Sequence, residues 1–553
     1  MDRRDLLKRG TVLAGLGALG GAGLVLDSCS SNKRQGPASV KATSASSQRS
    51  SSPRRGGALV VGTEAEENGL SPFTSNFDAT GILYARAFYD PLAATDIHGN
   101  TKPYLARSIT PNQDFTKWQI VARDNVQFHD GSSLDADALL VNFKTHMASI
   151  LSGPILAPMI SSITKIDSMT VEIAMNSPWV PFDTYLCGWI GAQFAYVASP
   201  KAIAQGSLDN HPVGTGPFVF SNWEPGDHLL GLRNNKYWRD PMPYVDSVTF
   251  RPLPLEQSRS DALKAGDISI AHFTDAPIYS QLRANSDFTH VDNLNGEVGQ
   301  ADQTFIMLNT AVPPFNDLRV RKGLAYLINL ESYNKVVNLG MTAIDRCAFQ
   351  LGSPYHDVGS YPNFSIAQGK ALLKSYQSAN QLSFTLSNVE GSNNLNDLSL
   401  IASEFTNASV HVVEQQVQQS KYIINALLGS YQAYFWRQFG GTDPDQNYDW
   451  WSSSFARPVG TISTNFARNS DPIIDKALST GRENPDPSAR IEAYKTVASR
   501  LNSDVPYLWQ TRALWALVAR SNVQGYNQIV LPDGSIGLGM KSGIFPVGSV
   551  WFS

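Results

Sequence analysis

Val126-Gln127-Phe128-His129-Asp130-Gly131-Ser132-Ser133-Leu134-Asp135-Ala136-Asp137-Ala138 holds the change of local structure on which the fold reading turns. Just ahead of it, Thr116-Lys117-Trp118-Gln119-Ile120-Val121 alternates polar with apolar side chains, the period of a half-buried strand. His129-Asp130-Gly131 is a turn: the aspartate can bond its own backbone and the glycine tolerates positive φ. Asp135 then stands where an N-cap belongs, before a helix expected from about Ala136 to Met147. Strand, turn and capped helix in one short span argue for a mixed α/β chain, with His129 a turn residue rather than a metal ligand.

The same grammar continues in both directions. Gly56-Gly57 punctuates the chain before the β-type run Ala58-Leu59-Val60-Val61-Gly62, where the folded body is expected to begin. Asn316 or Asp317 caps a helix with Val320, Leu324, Leu327 and Ile328 on its apolar face. Asp471-Pro472 and Asp486-Pro487 each set a capping acid before proline at the first helical position. No fixed-period repeat and no heptad seam appears, so solenoids and coiled coils are set aside. With 553 residues, the chain is long enough for a large core and more than one lobe. Hydrophobic residues make up 42% and charged residues 17%, which excludes wholesale disorder.

Charge is unevenly spread. Residues 1–55 carry ten Lys/Arg against three acids, so the remaining body, with 34 basic and 45 acidic side chains, has a net charge of −11. An acidic body gives no footprint for nucleic acid. Met1 to Leu26 reads as an export signal, with Arg3, Arg4, Lys8 and Arg9 before an apolar, Gly-rich run from Thr11 to Leu26. As a helix that run would extend only about 24 Å, short of a hydrocarbon core of roughly 30 Å. Asp2-Arg3-Arg4-Asp5-Leu6-Leu7-Lys8 resembles a twin-arginine signal, with general secretion as the alternative route. Leu26-Asp27-Ser28-Cys29 resembles a bacterial lipobox, with Cys29 as the lipidated first residue of the mature chain. Ser30 to Arg55, rich in Ser, Ala and basic residues, is expected to be a flexible tether. Cys187 and Cys347 then remain, either as buried thiols among apolar neighbours or as one disulfide.

The search for reaction chemistry finds little. Gly15, Gly17 and Gly20 fit a dinucleotide pattern but lie in the export signal with no preceding strand. Gly369-Lys370 is followed by Ala371 where a phosphate-binding loop needs a hydroxyl, and Asp533 replaces the first glycine of a nucleophile elbow at Gly534-Ser535-Ile536-Gly537. The nine histidines are scattered, with no metalloprotease or zinc spacing. No catalytic residue, metal site or cofactor is therefore assigned, and the expectation is a protein that is not an enzyme.

Several further blocks stand in order: Arg55-Gly56-Gly57-Ala58-Leu59-Val60-Val61-Gly62 with Leu70-Ser71-Pro72, Tyr89-Asp90-Pro91-Leu92, Pro212-Val213-Gly214-Thr215-Gly216-Pro217-Phe218, Asn235-Lys236-Tyr237-Trp238, Pro314-Phe315-Asn316-Asp317-Leu318-Arg319-Val320-Arg321 and Asp504-Val505-Pro506-Tyr507. Together with the block at 126–138 they resemble the extracytoplasmic solute-binding proteins of peptide and nickel ABC importers, the dipeptide- and oligopeptide-binding class. Most of these residues read physically as scaffold: Gly214-Thr215-Gly216-Pro217, for instance, as a strand entry where crowding excludes side chains. The resemblance implies a two-lobed α/β periplasmic-binding-protein-like fold of type II with an extra subdomain inserted near the N-terminus. The implied parts are an export signal at 1–28, a lipidated Cys and tether at 29–55, lobe one at 56–300 plus 511–553 with the insertion near 92–210, and lobe two at 301–510.

It also implies the work: capture of a peptide between lobes and delivery to ABC permease subunits at the outer face of a bacterial membrane, by a monomer held there through Cys29. The alternatives are a non-peptide solute on the same scaffold (a metal chelate, haem, an oligosaccharide or an anionic compound) and an exported hydrolase. In peptide-binding relatives one lobe-two segment supplies an aromatic wall and an Asp for the ligand's ammonium. The matching segment here runs from Tyr434 to Asp445, with Trp436 as wall; the anchoring Asp falls on Gly440 or Gly441. Either Asp443, Glu64, Glu66 or Glu67 replaces it, or the ligand carries no amine there, an option to which Arg437 adds a carboxylate-binding group. Trp189, Trp450 and Trp451 are further wall candidates, and Phe73 follows the first strand where relatives line the cleft.

Overall fold

The computed structural model describes residues 52–553 apart from positions 76, 297 and 378–380. Arg3, Arg4 and Cys29, and with them the expected export signal and lipid site, lie outside the described residues. Among the described residues no helix is long and apolar enough to cross a membrane.

Local rules build the pieces. In the strand Lys117–Ala122, Trp118, Ile120 and Ala122 are buried while Lys117 and Gln119 are exposed, the alternation a one-sided sheet requires. Asp135 caps the helix Ala136–Ala148 through the Ala138 amide at 2.9 Å, and Leu139, Asn142, Phe143 and His146 form its buried face. Asp317, Asp471 and Asp486 cap the helices Leu318–Ala325, Pro472–Glu483 and Pro487–Asp504. His129 is bound into the scaffold by Gly216 O at 3.0 Å, and burial pushes its pKa down to about 4. A Cβ on Gly214 would lie 2.3 Å from Phe88 O and one on Gly216 2.5 Å from Phe88 C, so both positions require glycine.

Three sheets organise these pieces. The first has seven strands in the order Phe288–Asp292, Ala516–Arg520, Ile270–Phe273, Ala58–Thr63, Ser247–Pro252, His228–Arg233, Phe218–Glu224. Ala58–Thr63 is parallel to both neighbours, and the flanking pairs are antiparallel. Its two faces carry separate cores: along the chain Trp515, Leu517 and Ala519 join one, Ala516 and Val518 the other. A four-stranded antiparallel sheet, Ala106–Pro111, Lys117–Ala122, Thr170–Met175, Ile160–Lys165, packs within the larger of these cores. The third sheet, His411–Val417, Ser383–Val389, Ala433–Gln438, Gln303–Leu308, Tyr507–Arg512, has its own core. The result is the two-lobed mixed α/β fold that the resemblance implied. Among the described residues, two segments cross between the first and third sheets, within 293–302 and at 513–515. Cys187 and Cys347 are free and buried; burial pushes their thiols up to about 12 and about 11.

Candidate functional site

The crossing segments are bonded to one another. Asn293 N donates to Trp515 O at 3.1 Å, Asn293 Nδ2 to Ala513 O at 2.9 Å, and Trp515 N to Asn293 Oδ1 at 2.9 Å. Asp302, fully buried, accepts from Trp515 Nε1 at 2.8 Å and from Gly440 N at 2.6 Å. One carboxylate thus ties both crossings to the loop that follows Ala433–Gln438.

That loop shows why no acid stands at the position where the resemblance implied one. A Cβ on Gly440 would lie 1.8 Å from Gln300 O, and one on Gly441 2.2 Å from Gln446 Oε1. The backbone is pressed against the crossing, leaving no room for an aspartate. Just before it, adjacent strand residues face opposite ways. Trp436 stacks on Tyr422 at 5.5 Å and meets Phe466 at 5.4 Å. Arg437 turns toward lobe one, 4.8 Å from the Trp515 ring centre, with its Nη1 buried and without a hydrogen-bond partner.

Of the four acids expected to replace the anchor, three are held by neighbouring donors, and Glu67 is buried with its Oε1 unpartnered. Asp443 caps Pro444–Asn447 and is gripped by Arg490 Nη2 at 2.7 and 2.6 Å; burial still pushes its carboxyl up to about 6. Glu64 lies 3.2 Å from His272 Nε2, and although burial opposes its charge, His272 and Arg437 hold its carboxyl well below the usual range. Glu66 accepts from Trp223 Nε1 and Gly226 N at 2.9 Å, pinning the turn between Phe218–Glu224 and His228–Arg233. Glu67 packs on Gly81; burial and the nearby Asp78 carboxyl push it well up. Phe73 is a core residue, 4.3 Å from the His146 ring.

Between the lobes lies a cavity with about 50 Å³ of free room. Trp189, Ile190 and Gly191 line it from the stretch that follows the helix Phe182–Tyr185, Phe439 to Gly441 and Asp449 and Trp450 from the chain that follows Ala433–Gln438, and Lys541 and Ile544 from the C-terminal segment. Of the six residues expected to touch ligand, the structure brings Trp189 to this cavity; Trp436, Arg437, Asp443, Glu66 and Phe73 stand elsewhere. Trp450 lines it as well, while Trp451 is core. The room suffices for only a few water molecules.

A polar seam beside the cavity holds the lobes together. Asp445 accepts from Arg482 Nε at 2.9 and 3.1 Å and from Trp179 Nε1 at 2.9 Å, and Tyr185 OH donates to it as well. Val180 N donates to Arg482 O at 2.9 Å, and Gln446 Nε2 to Thr184 O at 3.3 Å. Sequence reading missed this seam: Asp445 was visible beside Asp443, but no linear signal couples it to residues 179, 185 and 482. Among the described residues no three His, Cys, Asp or Glu gather to hold a metal ion.

Residues 100–458 match the family model described as bacterial extracellular solute-binding proteins, family 5, middle region. The chain is 22% identical over 457 residues to the nickel-binding periplasmic protein of Escherichia coli, covering 79% of this chain and 86% of that protein. It superimposes with a TM-score of 0.80 and 22% identity on the ABC-transporter-associated periplasmic binding protein DppA from Helicobacter pylori in complex with a peptide, over 90% of this chain and 98% of that one. AgaA from A. tumefaciens in complex with agropinic acid gives 0.79 and 20% identity, over 90% and 99%.

Proposed function

The chain belongs to the bacterial extracellular solute-binding proteins of family 5, binding proteins of ABC importers, and from that premise we propose that it captures peptides between its lobes and delivers them unaltered to a membrane permease. The observation that carries this reading is the cavity enclosed by both lobes and the inserted part, with Trp189 and Trp450 as aromatic walls. Closure over a solute would bring the two outer surfaces into one arrangement that a permease can tell from the open form. Lipid on Cys29 would keep the protein at the outer face of the membrane, with the basic stretch 30–55 against anionic head groups. Labelled palmitate is expected to enter the wild type and not Cys29→Ala; equal labelling of both removes the anchor.

A second reading, a compact anionic solute, is favoured by the closed space at Gly440 and Gly441, which leaves no room there for an acid to meet an amine. Native mass spectrometry of the protein as purified separates the two. A bound mass equal to a short peptide supports the first; a non-peptide acid supports the second.

A further inference from the structure

Resting on the reading that the protein works against the outer face of a membrane, we infer that a cluster of arginines around Trp238 receives the phosphate of anionic lipid head groups and sets which face of the body meets the membrane. The cluster lines a cleft with about 480 Å³ of room, which shares no lining residue with the cavity between the lobes. Three parts of the chain build it. Arg107 lies on Ala106–Pro111 and Arg123 just past its partner strand Lys117–Ala122; Trp238 and Arg239 come from the loop between His228–Arg233 and Ser247–Pro252, and Pro532 from the C-terminal stretch.

The Trp238 indole is a fixed floor: its Nε1 donates to the buried Asp90 at 2.8 Å, and Asp90 also accepts from Thr215 and Tyr237 at 2.9 Å. The Arg123 and Arg239 guanidiniums stand 5.0 and 5.7 Å from the centre of that ring. Arg123 donates to Tyr104 O at 2.9 Å and Ala106 O at 3.2 Å, and Arg239 to Tyr104 OH at 2.8 Å and to Val530 O. These acceptors are neutral, so they orient the two cations without neutralising them; Asp90, behind the indole, offsets part of the Arg239 charge. Burial, then the charge of Arg239, lower the Arg123 pKa, the response of a cation that gains from an anion brought beside it. On the rim, Arg107 pairs with Asp124 and Arg55 with Asp240, each at 2.7 Å, and all four are more than half exposed. Four arginines thus face two rim aspartates, on a body whose net charge is −11. An anionic membrane repels most of that body and attracts this face, where guanidiniums match phosphate oxygens. The chain also enters the body here: Arg55 reaches Pro241 O at 3.3 and 3.2 Å, and Gly56 N donates to Tyr244 O at 2.8 Å. The basic stretch 30–55, which contains no acid, therefore joins the body at the edge of the cleft. A soluble anion gains nothing from that position, whereas a lipid head group does.

The test uses the full chain carrying Cys29→Ala, so that no acyl chain masks the contact, and reads its partition at low salt onto vesicles of phosphatidylcholine alone or mixed with phosphatidylglycerol. Binding should rise with phosphatidylglycerol and fall about fivefold for each guanidinium removed, in Arg123→Gln and in Arg123→Gln with Arg239→Gln. Asn125→Asp adds negative charge on the exposed rim, at φ 60°, which aspartate also accepts, and leaves the arginine bonds intact. It should lower binding too, and it decides the matter should the arginine variants fold poorly. The basic residues before 56 are common to all these proteins, so equal phosphatidylglycerol binding in all of them assigns the attraction to that stretch and overturns the inference. Inorganic phosphate that the parent binds and Arg123→Gln does not, with vesicle binding unchanged, overturns the lipid as occupant. Should labelled palmitate fail to enter the wild type, the anchor falls, while a phosphatidylglycerol response weakened by Asn125→Asp still upholds the arginine face.

Discussion

Arg482 and Asp445 show what one buried pair does for the closed form. Asp445 is fully buried and Arg482 is 3% exposed, and both are hydrogen-bonded across the lobe boundary. Arg482→Met strands the carboxylate and is expected to cost about 3–5 kcal/mol in denaturant unfolding, whereas Asp445→Leu combined with Arg482→Met should recover most of it. Equal losses in the single and double variants would contradict this. Asp397 gives a pH signature: burial, then the charge of Asp275, push it up to about 7, while Tyr333 hydrogen-bonds it. A carboxyl that binds its proton more tightly folded than unfolded stabilises the fold fully below about pH 4 and loses that contribution as pH rises through 7. Melting temperature in Asp397→Asn should therefore fall less than in wild type between pH 5 and pH 8; parallel curves would count against it. Residue types at the site were partly legible in the sequence: Trp189 and Trp450 were named as walls, and the loss of the acid at Gly440 or Gly441 was visible. Partners were not legible, because Asp443 meets Arg490 and Asp445 meets Arg482 only after long stretches of chain have folded.

At the scale of elements, the signals that survived are those whose physics is local. Asp135, Asp317, Asp471 and Asp486 cap helices where proline, turn residues and apolar periodicity said they should. Phe73 shows the limit: following the first strand placed it near a cleft in relatives, yet here its ring turns into the lobe-one core against His146. Nothing in a linear pattern distinguishes an inward from an outward aromatic after a strand. The loop at Gly440 is the element with the most to lose. Gly440→Asp, which restores the relatives' acid, drives a Cβ into Gln300 O and displaces the amide bonded to Asp302. It should destabilise the fold by at least about 2 kcal/mol and not improve peptide affinity. A stable variant with tighter peptide binding would show that the loop can yield.

On the scale of the whole molecule, two sheets with separate cores are joined by two crossings that hydrogen-bond to each other, the arrangement a hinge requires. A cavity with about 50 Å³ of room lies where the halves meet, so in the proposed account the lobes open to admit a solute and close to hold it. The acidic body and the basic stretch before it divide the labour in the proposed account, one holding solute and the other holding the membrane. Small-angle X-ray scattering of the full chain, stripped of solute by unfolding and refolding and then given back the solute recovered from native protein, tests the clamp directly. The radius of gyration should fall when the solute returns, and the solute should be recovered chemically unchanged. An unaltered radius with solute bound, or a solute converted to another compound, would contradict capture between hinged lobes.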